Sequence, residues 1–441
     1  MFRARNAPHD APGAWTRRSD SIGASARERS TDPGGAVDYS IGTLVLFPVV
    51  AVAAPLLVRA LSRWVVIPLV VFEILLGLLL GPSVLGWIVP DDLMAFFSDF
   101  GLAMLFFLAG NEIDFRAIRG RPLGRAAIGW IISLAAGVGI AALLAPDFAS
   151  AAFIGVALTS TALGTIMPVL RDSGDLRTPF GVAVIALGAV GEFAPLLAIS
   201  LFLSGRAPLT AALVLVAFAV IAGAAIWLAA RGAGRRLHRI INTTLHTSGQ
   251  FGVRLVVVVL VALIALSVEL DLDMLLGAFT AGVLYHLILS GAPERDVEVI
   301  EGKVEALGFG FLVPIFFIAT GVTFDLEALV GDLRTLMLLP GFLVLLLVVR
   351  GLPSTLAAPR GSSRRDLAAT ALFGATGLPI IVAVTAIGVE RGELSSGVAA
   401  ALVGAGMLSV LLFPLVGLAL HRRSSDAASR PADDEPTPVR R

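Results

Sequence analysis

Long apolar segments follow one another along the chain from about residue 41 to residue 420. The hydrocarbon core of a bilayer is about 30 Å thick, and a helix needs about 20 apolar residues to cross it. Measured with that length, the chain divides into about thirteen candidate membrane spans. They lie near residues 41–61, 64–87, 97–114, 124–146, 149–170, 179–203, 209–230, 249–268, 272–290, 307–323, 334–357, 366–389 and 394–420. Only 15% of the residues are charged, against roughly 25% in soluble domains, so the sequence predicts an all-α polytopic membrane protein.

The two ends of the chain differ in composition from the apolar region between them. Residues 1–38 and 421–441 are polar and contain proline. Such segments bury too little apolar surface to offset the entropy that folding costs. We therefore predict two disordered tails and no soluble regulatory domain, so that no regulatory nucleotide is expected.

Several kinds of chemistry are excluded by composition. The chain has no cysteine, only five histidines and a formal net charge of zero. Disulfides and thiolate sites are impossible, and the histidine spacing of a zinc site does not occur. The balanced charge gives no reason to expect nucleic acid as a partner. No Ser-His or Asp-Asp pair falls at mid-depth in the spans, so we predict neither an enzyme nor a resident metal or cofactor.

Basic residues are concentrated in the loops on one side of the predicted spans, which we call the arginine-rich face. Its loop residues are Arg59, Arg63, Arg116, Arg119, Arg121, Arg125, Arg171, Arg177, Arg231, Arg235, Arg236, Arg239, Arg295, Lys303, Arg360, Arg364, Arg365, Arg422 and Arg423. The opposite loops carry mainly acids, such as Asp91 and Asp92. Because cytoplasmic loops are rich in Lys and Arg, we predict a protein of the cell membrane with its C-terminus in the cytoplasm and its N-terminus outside.

The chain also repeats itself across seven spans. Residues 105–110 (LFFLAG) of the third span match residues 315–321 (IFFIATG) of the tenth. Spans two and nine are both glycine-rich, and spans five and twelve both have polar centres. An odd offset inverts the second copy relative to the first, as in inverted-repeat transporters. The alternative is that small-residue motifs recur by chance in membrane helices.

Glu192 lies near the middle of the span 179–203, with Gly188, Gly191 and Pro195 around it. A charged side chain at the bilayer centre costs about 3 kcal/mol on insertion scales, and such residues are usually functional. A carboxylate that is costly to ionise can hold either a proton or a cation. We therefore predict Glu192 as an ion- and proton-binding residue, the alternative being a carboxylate buried for packing alone.

Arg350 lies inside the span 334–357, where a lone guanidinium needs a partner. Glu192 is the best candidate, so Arg350 is predicted to be its counter-charge. The alternative is that Arg350 extends to the headgroups at the arginine-rich face.

Two spans carry hydroxyls together with helix-weakening residues at mid-depth. These residues are Thr159, Ser160, Thr161 and Gly164 in one span, and Gly374, Thr376, Gly377 and Pro379 in the other. We predict that both helices are broken there, because half-helix ends and free carbonyls coordinate ions in transporters. The hydroxyls of Thr159, Ser160 and Thr161 are predicted to bind the ion. The residues predicted to permit gating are Gly164, Gly191, Gly374, Thr376, Gly377 and Pro379.

Three further acids are secondary candidates. Glu112 and Asp114 close the third span and are predicted to line a vestibule or to cap the helix. Glu73 lies mid-way along the second span, as a second proton site or, more simply, a structural residue.

Seven short motifs, taken in order, resemble the monovalent cation:proton antiporter superfamily, in its branch of Kef-type and bacterial sodium/proton exchangers. They are residues 77–86 (GLLLGPSVLG), 105–114 (LFFLAGNEID), 157–172 (ALTSTALGTIMPVLRD), the Glu192 segment, 276–284 (LGAFTAGVL), 309–325 (FGFLVPIFFIATGVTFD) and 375–382 (ATGLPIIV). The resemblance covers almost all of residues 41–420.

The resemblance implies an elevator-like antiporter for Na⁺ or K⁺ that is often a homodimer, with two crossed broken helices. Residues 41–114 and 249–323 would form the scaffold, and residues 124–203 and 334–420 the moving core. Residues 209–230 would link the two parts.

The resemblance also implies a specific departure at the ion site. Family members usually carry two adjacent polar residues where this chain has Gly191 and Glu192. Glu192 matches the second, essential acid, and the first position has no side chain. One carboxylate implies one cation exchanged for one proton, and therefore electroneutral transport.

Two other transport functions remain open from the sequence. A channel-like potassium efflux protein would lack strict coupling to protons. An organic-anion/sodium symporter on a related fold would need polar residues that grip a larger solute, and the spans offer few of these.

Overall fold

The computed structural model describes residues 41–61, 68–113, 118–202, 208–228, 251–289 and 294–429, and within these ranges the regular structure is entirely helical. The helices are α1 (Ile41–Leu61), α2 (Leu69–Leu80), α3 (Asp92–Glu112), α4 (Arg121–Leu144), α5 (Phe148–Leu158), α6 (Leu163–Ser173), α7 (Pro179–Phe202), α8 (Pro208–Leu228), α9 (Phe251–Glu269), α10 (Met274–Leu289), α11 (Glu294–Leu307), α12 (Val313–Val322), α13 (Leu326–Val330), α14 (Leu333–Leu345), α15 (Arg364–Gly374), α16 (Pro379–Glu390) and α17 (Ser396–Ser429). The predicted all-α class is confirmed.

Every predicted span overlaps one of these helices or a pair of them. Among the described residues, nine helical stretches are long and apolar enough to cross a membrane, and four shorter helices are also apolar. Large apolar side chains such as Leu143 and Leu209 are more than 70% exposed, as expected for residues that face lipid. The number of actual crossings stays a prediction, and the predicted N-terminal tail lies outside the described residues.

Two membrane-spanning stretches are interrupted, as predicted. The stretch Phe148–Ser173 is broken between α5 and α6, and Arg364–Glu390 is broken between α15 and α16. Pro379 begins α16, where its missing N–H removes no helical hydrogen bond. The two interruptions touch, because the backbone N–H of Ala162 donates to the carbonyl of Thr376 at 2.7 Å.

Glycines allow two close helix crossings among the described residues, and both crossings have the same arrangement. Where α10 crosses α3, a Cβ on Gly282 would overlap the carbonyl oxygen of Phe107, and one on Gly110 that of Phe279. In this crossing each glycine packs against a carbonyl of the opposite helix, and that carbonyl belongs to the residue three positions before the opposite glycine.

The second crossing joins α2 to α12 with the same spacing. A Cβ on Gly77 would overlap the carbonyl of Ile318, and one on Gly321 that of Ile74. The predicted repeat exchanges spans two and three with nine and ten, so it maps one crossing onto the other. This agreement supports a true internal repeat.

Two membrane stretches contain a π-helical turn that periodicity does not predict. One of them, Gly308–Leu312, joins the charged helix α11 to α12. The helical stretch that contains the predicted span 307–323 therefore begins before residue 307. The other, Leu346–Gly351, follows α14 and carries Arg350. Such wide turns occur frequently at functional sites.

The last helix is longer than predicted. Residues 421–441 were expected to be disordered, but α17 continues to Ser429. Its extension is held by His421, whose Nδ1 lies 2.8 Å from Oδ1 of Asp366 and whose ring stacks on Phe180 with centroids 3.9 Å apart. These contacts supply the order that composition alone did not indicate.

Loop ends are fixed by side-chain caps where the sequence provides them. Asp147 caps α5 by accepting the backbone N–H of Ser150 at 2.8 Å. That hydrogen bond holds the pKa of Asp147 below its usual value. Asp91 caps α3 in the same way through Met94, so this helix begins before the predicted residue 97.

Candidate functional site

Glu192 is buried in α7, with only 4% of its surface exposed. Its Oε1 accepts the backbone N–H of Leu163 at 2.7 Å, and the N–H of Gly164 also interacts with the carboxylate. These are the first N–H groups of the half-helix α6. A helix N-terminus carries a partial positive charge and free donors, so the break in this span provides the counter-charge for Glu192.

The carboxylate of Glu192 lines a small cavity of about 30 Å³ between α2, α3, α6, α7, α12 and α16. The cavity is lined by Val70, Leu105, Ala109, Glu112, Gly164, Thr165, Glu192, Phe309, Phe317 and Pro379. Oε2 of Glu192 is fully buried and has no hydrogen-bond partner among the described residues. One oxygen is thus held by the protein and the other is available to a proton or a cation.

Glu112 shares this cavity with Glu192, and the two are close enough for their charges to interact. Its Oε2 is likewise buried without a partner in the described part of the chain. Two carboxylates in one apolar cavity attract a cation or a proton. Two negative charges so close together are unfavourable unless a proton or a cation neutralises one of them. Asp114, the other predicted vestibule residue, lies outside the described residues.

The predicted ion pair between Arg350 and Glu192 is wrong for this structure. Arg350 is fully buried, so the alternative of a side chain reaching the headgroups is also wrong. Its Nε donates to Oγ1 of Thr161 at 2.9 Å, and its Nη2 donates to the carbonyl of Leu187 at 2.9 Å. Leu187 and Gly191 are one turn apart on α7, so Arg350 contacts the glycine side of that helix while Glu192 points elsewhere.

Thr161 joins the two broken helices to Arg350. Its hydroxyl accepts from Arg350 and donates to the carbonyl of Gly374 at the end of α15, closer than most hydrogen bonds at 2.6 Å. Together with the backbone bond from Ala162 to Thr376, this contact holds both interruptions in one connected unit. Thr161 therefore organises the site without lining the cavity.

Thr159 and Ser160, predicted ion ligands, are directed away from Glu192. Their hydroxyls donate to the carbonyls of Val156 and Ala157 in the preceding turn, as Ser and Thr often do at a helix end. Neither lines the cavity. The hydroxyl residue that does line it is Thr165, and no pattern in the sequence distinguishes Thr165 from the hydroxyls before it.

The gating residues predicted in the second broken helix lie where the interruptions of the two broken helices meet. Gly377 packs closely on Ser160, and a Cβ added to Gly377 would lie 2.6 Å from the hydroxyl oxygen of Ser160. The N–H of Gly377 donates to Ser409 of α17 at 3.1 Å, a contact that sequence reasoning missed. Thr376 bonds back to Leu372, and Pro379 lines the cavity.

Glu73, the possible second proton site, is buried in α2 with 2% of its surface exposed. It does not line the Glu192 cavity, although Val70, one turn earlier on α2, does. Its role as a second site stays a prediction.

A larger cavity of about 680 Å³ opens on the acidic face, opposite the arginine-rich one. Its acidic lining residues are Asp91, Asp92, Asp99, Asp325 and Glu390. Leu102, Phe316 and Val382 line this cavity, and residues within one turn of them line the cavity of Glu192. The layer between the two cavities is therefore formed by these parts of α3, α12 and α16.

The position before Glu192 has no room for the polar side chain that the resemblance implies. A Cβ on Gly191 would lie 2.5 Å from Oγ1 of Thr161 and 2.9 Å from Nη2 of Arg350. We expect Gly191→Asn to displace both and to destabilise the protein by about 1–3 kcal/mol, the usual cost of overpacking. The measurement is the thermal midpoint of the purified protein. Gly223→Asn is the control, because nothing lies within 4 Å of a Cβ there; equal midpoints for the two variants would contradict the packing argument.

Comparison with known proteins gives concordant matches. The sequence model of a family described as "Sodium/hydrogen exchanger, transmembrane" matches residues 49–418. YjbQ of Bacillus subtilis, provisionally named a Na⁺/H⁺ antiporter, is 27% identical over 87% of this chain and 64% of its own length. A Na⁺/H⁺ antiporter of Enterococcus hirae is 24% identical over 81% of this chain and 92% of its own.

A solved structure has the same fold. The sodium proton antiporter MjNhaP1 of Methanocaldococcus jannaschii superposes with a TM-score of 0.61 over 88% of this chain and 98% of its own, at 18% identity. At that identity the similarity concerns the fold alone. This chain spans less than two thirds of the length of YjbQ.

Proposed function

The chain belongs to the sodium/hydrogen exchanger family, and from that premise we propose that it exchanges a monovalent cation, Na⁺ or K⁺, for a proton at Glu192. The observation that carries the proposal is the state of this carboxylate. One oxygen is held by the N-terminus of α6, and the other is buried in a small cavity without a partner among the described residues. A proton and a cation compete for that second oxygen, and this competition couples their movements in opposite directions.

The volume of the Glu192 cavity limits what can be transported. A buried water needs about 10–15 Å³ of such space, and the cavity has about 30 Å³. It has room for a cation with one or two waters, but not for an organic anion. The size therefore argues against the organic-anion symporter.

The arrangement of the cavities suggests how access alternates. The acidic cavity ends at Leu102, Phe316 and Val382, one turn short of the Glu192 cavity. In our proposal this layer closes one route to Glu192 while the other route leads past Glu112. Movement of the core (124–203 and 334–420) against the scaffold (41–114 and 249–323) would exchange the two routes, as in an elevator mechanism.

Electroneutral exchange is the expected stoichiometry. Among the described residues, Glu192 is the carboxylate held by the broken helices, and Gly191 adds no second charge. One cation in for one proton out moves no net charge. Purified protein in liposomes should therefore show Na⁺-driven proton flux without a transient current, and a current that scales with membrane potential would contradict the one-for-one proposal.

We further propose that the protein lies in the cell membrane as a homodimer, with the arginine-rich face in the cytoplasm and the N-terminus outside. The loop charges support the orientation. Cysteines introduced singly into the cysteine-free chain can test it through their accessibility to impermeant reagents.

The test of the proposed function is cation-induced dissipation of a pH gradient in everted vesicles that contain the protein. Na⁺, K⁺ and Li⁺ are added in turn, and a fluorescent pH probe reports the gradient. Dissipation that depends on the cation and persists when the membrane potential is clamped at zero supports antiport. Potassium flux that is independent of the pH gradient would instead indicate the channel-like function.

A further inference from the structure

Four arginines surround one cavity on the arginine-rich face. The cavity has a volume of about 440 Å³ and lies between the beginnings of α4 and α7 and the end of the stretch Leu333–Ala357. The arginines are Arg121, Arg125, Arg177 and Arg360. In the described part of the chain no Asp or Glu lines it.

These arginines lack partners within the described residues, where they form neither hydrogen bonds nor ion pairs. Instead, the positive charges of Arg125 and Arg360 act on Arg121, which lines the same cavity. The first turn of α4 adds no acid, and its N-cap, Gly120, has no side chain to cap the helix. The cavity thus concentrates positive charge that the described protein groups do not balance.

Apolar groups form the rest of the cavity and continue from it along the membrane helices. Val182, Ala183, Ala357 and Ala358 line it together with prolines. Ile128 lies one turn beyond Arg125 on α4 and is 57% exposed. Leu356 lies in the last helical turn, Thr355–Ala357, directly before the cavity-lining Ala357, and is 43% exposed. Residues three or four apart share a helix face, so Arg125 has an exposed apolar side chain next to it, and Leu356 adds a second exposed apolar side chain beside the cavity.

From this juxtaposition we infer that the cavity binds the phosphate headgroup of an anionic phospholipid from the adjacent leaflet, with its acyl chains against Ile128 and Leu356. Basic cavities between membrane helices on the cytoplasmic side are suited to such headgroups, and 440 Å³ lies within the range of small-molecule sites. The apolar continuation favours a lipid over a soluble phosphate. Because α7 carries Glu192 and the neighbouring stretch carries Arg350, a bound lipid would tie together the ends of the elements that form the ion site.

The test uses the full chain, purified in a neutral detergent, with dioleoyl-phosphatidylglycerol as the probe. The lipid is titrated while the thermal midpoint is recorded, and native mass spectrometry counts the lipids retained. Phosphatidylglycerol should raise the midpoint of the wild type, whereas phosphatidylcholine should not. The double variant Arg125→Gln/Arg360→Gln should need roughly 30-fold more phosphatidylglycerol for the same rise, because each basic group near an anionic lipid contributes about a factor of five.

Matched variants make the result specific. Arg364→Gln/Arg422→Gln removes the same charge from exposed positions of the same face outside the cavity and should respond like the wild type. Arg125→Lys/Arg360→Lys should regain most of the response. An equal loss in both Gln variants, a response to inorganic phosphate equal to that with lipid, or no lipid dependence in the wild type would each overturn the assignment. These readouts measure lipid binding, so their outcome does not depend on whether the protein exchanges cations for protons.

Discussion

Glu192→Gln should abolish cation-dependent dissipation of a pH gradient in everted vesicles. Glutamine keeps the size of the side chain and can still accept the N–H of Leu163, but its amide neither releases a proton nor carries charge toward a cation. Both substrates lose their common site at once. The measurement is the fluorescence recovery after addition of Na⁺ or K⁺, at matched amounts of protein in the membrane.

Glu298→Gln is the control, since Glu298 is an exposed acid on α11 away from the cavity. It should exchange like the wild type. Full exchange by a correctly inserted Glu192→Gln protein would show that the site has been misassigned.

The proposed competition at Glu192 also predicts a defined dependence of cation exchange on pH in the wild type. A cation ligand must be deprotonated, so cation affinity falls as protons become more abundant. The apparent KM for Na⁺ should rise as pH falls, by up to about tenfold per pH unit where protons dominate the site. A KM that does not change between acidic and alkaline pH would contradict a shared site.

Gly282→Leu should prevent α10 from packing against α3 and cause a large loss of folded protein. A Cβ at this position overlaps the carbonyl oxygen of Phe107 and lies 2.9 Å from the N of Asn111. These are backbone atoms, which cannot rotate away as a side-chain end would, so the helices must separate. The expected destabilisation is at least about 3 kcal/mol, the upper end of overpacking costs, read as a lowered thermal midpoint or as aggregation on size exclusion.

The chain offers a matched control for this substitution. Gly139 lies in the apolar helix α4, and nothing is within 4 Å of a Cβ there. Gly139→Leu should therefore leave the midpoint nearly unchanged. Gly77→Leu, at the repeated crossing, should behave like Gly282→Leu. An unchanged thermal midpoint for Gly282→Leu together with a lowered midpoint for Gly139→Leu would contradict the crossing as the cause.

The fold was largely predictable because the bilayer imposes a single length on apolar helices. The thirteen apolar segments each correspond to helical structure, and the breaks in two of them follow from the local sequences around Thr161 and Gly377. The π turns and the extension of α17 were not predictable. They depend on tertiary contacts, such as that between His421 and Asp366, which leave no periodic signal in the sequence.

For the proposed ion site, the sequence indicated the elements but not the directions of the side chains. Glu192 and Gly164, both singled out from the sequence, line the same cavity. Arg350 was assigned to the wrong partner because depth in the membrane does not say which side of α7 a neighbour contacts. Thr159 and Ser160 were assigned to the ion because a hydroxyl in the sequence does not reveal that it bonds back to its own helix.

The counter-charge of Glu192 is the N-terminus of α6, and this has a consequence for genetics. No exchange of one side chain can delete the backbone N–H of Leu163 except a proline, and none can remove the partial charge at a helix end. A scan of charged residues would pass over this partner entirely, and charge-swap suppressors of Glu192 should not arise at Arg350. The partner of Glu192 is encoded by the position at which a helix begins.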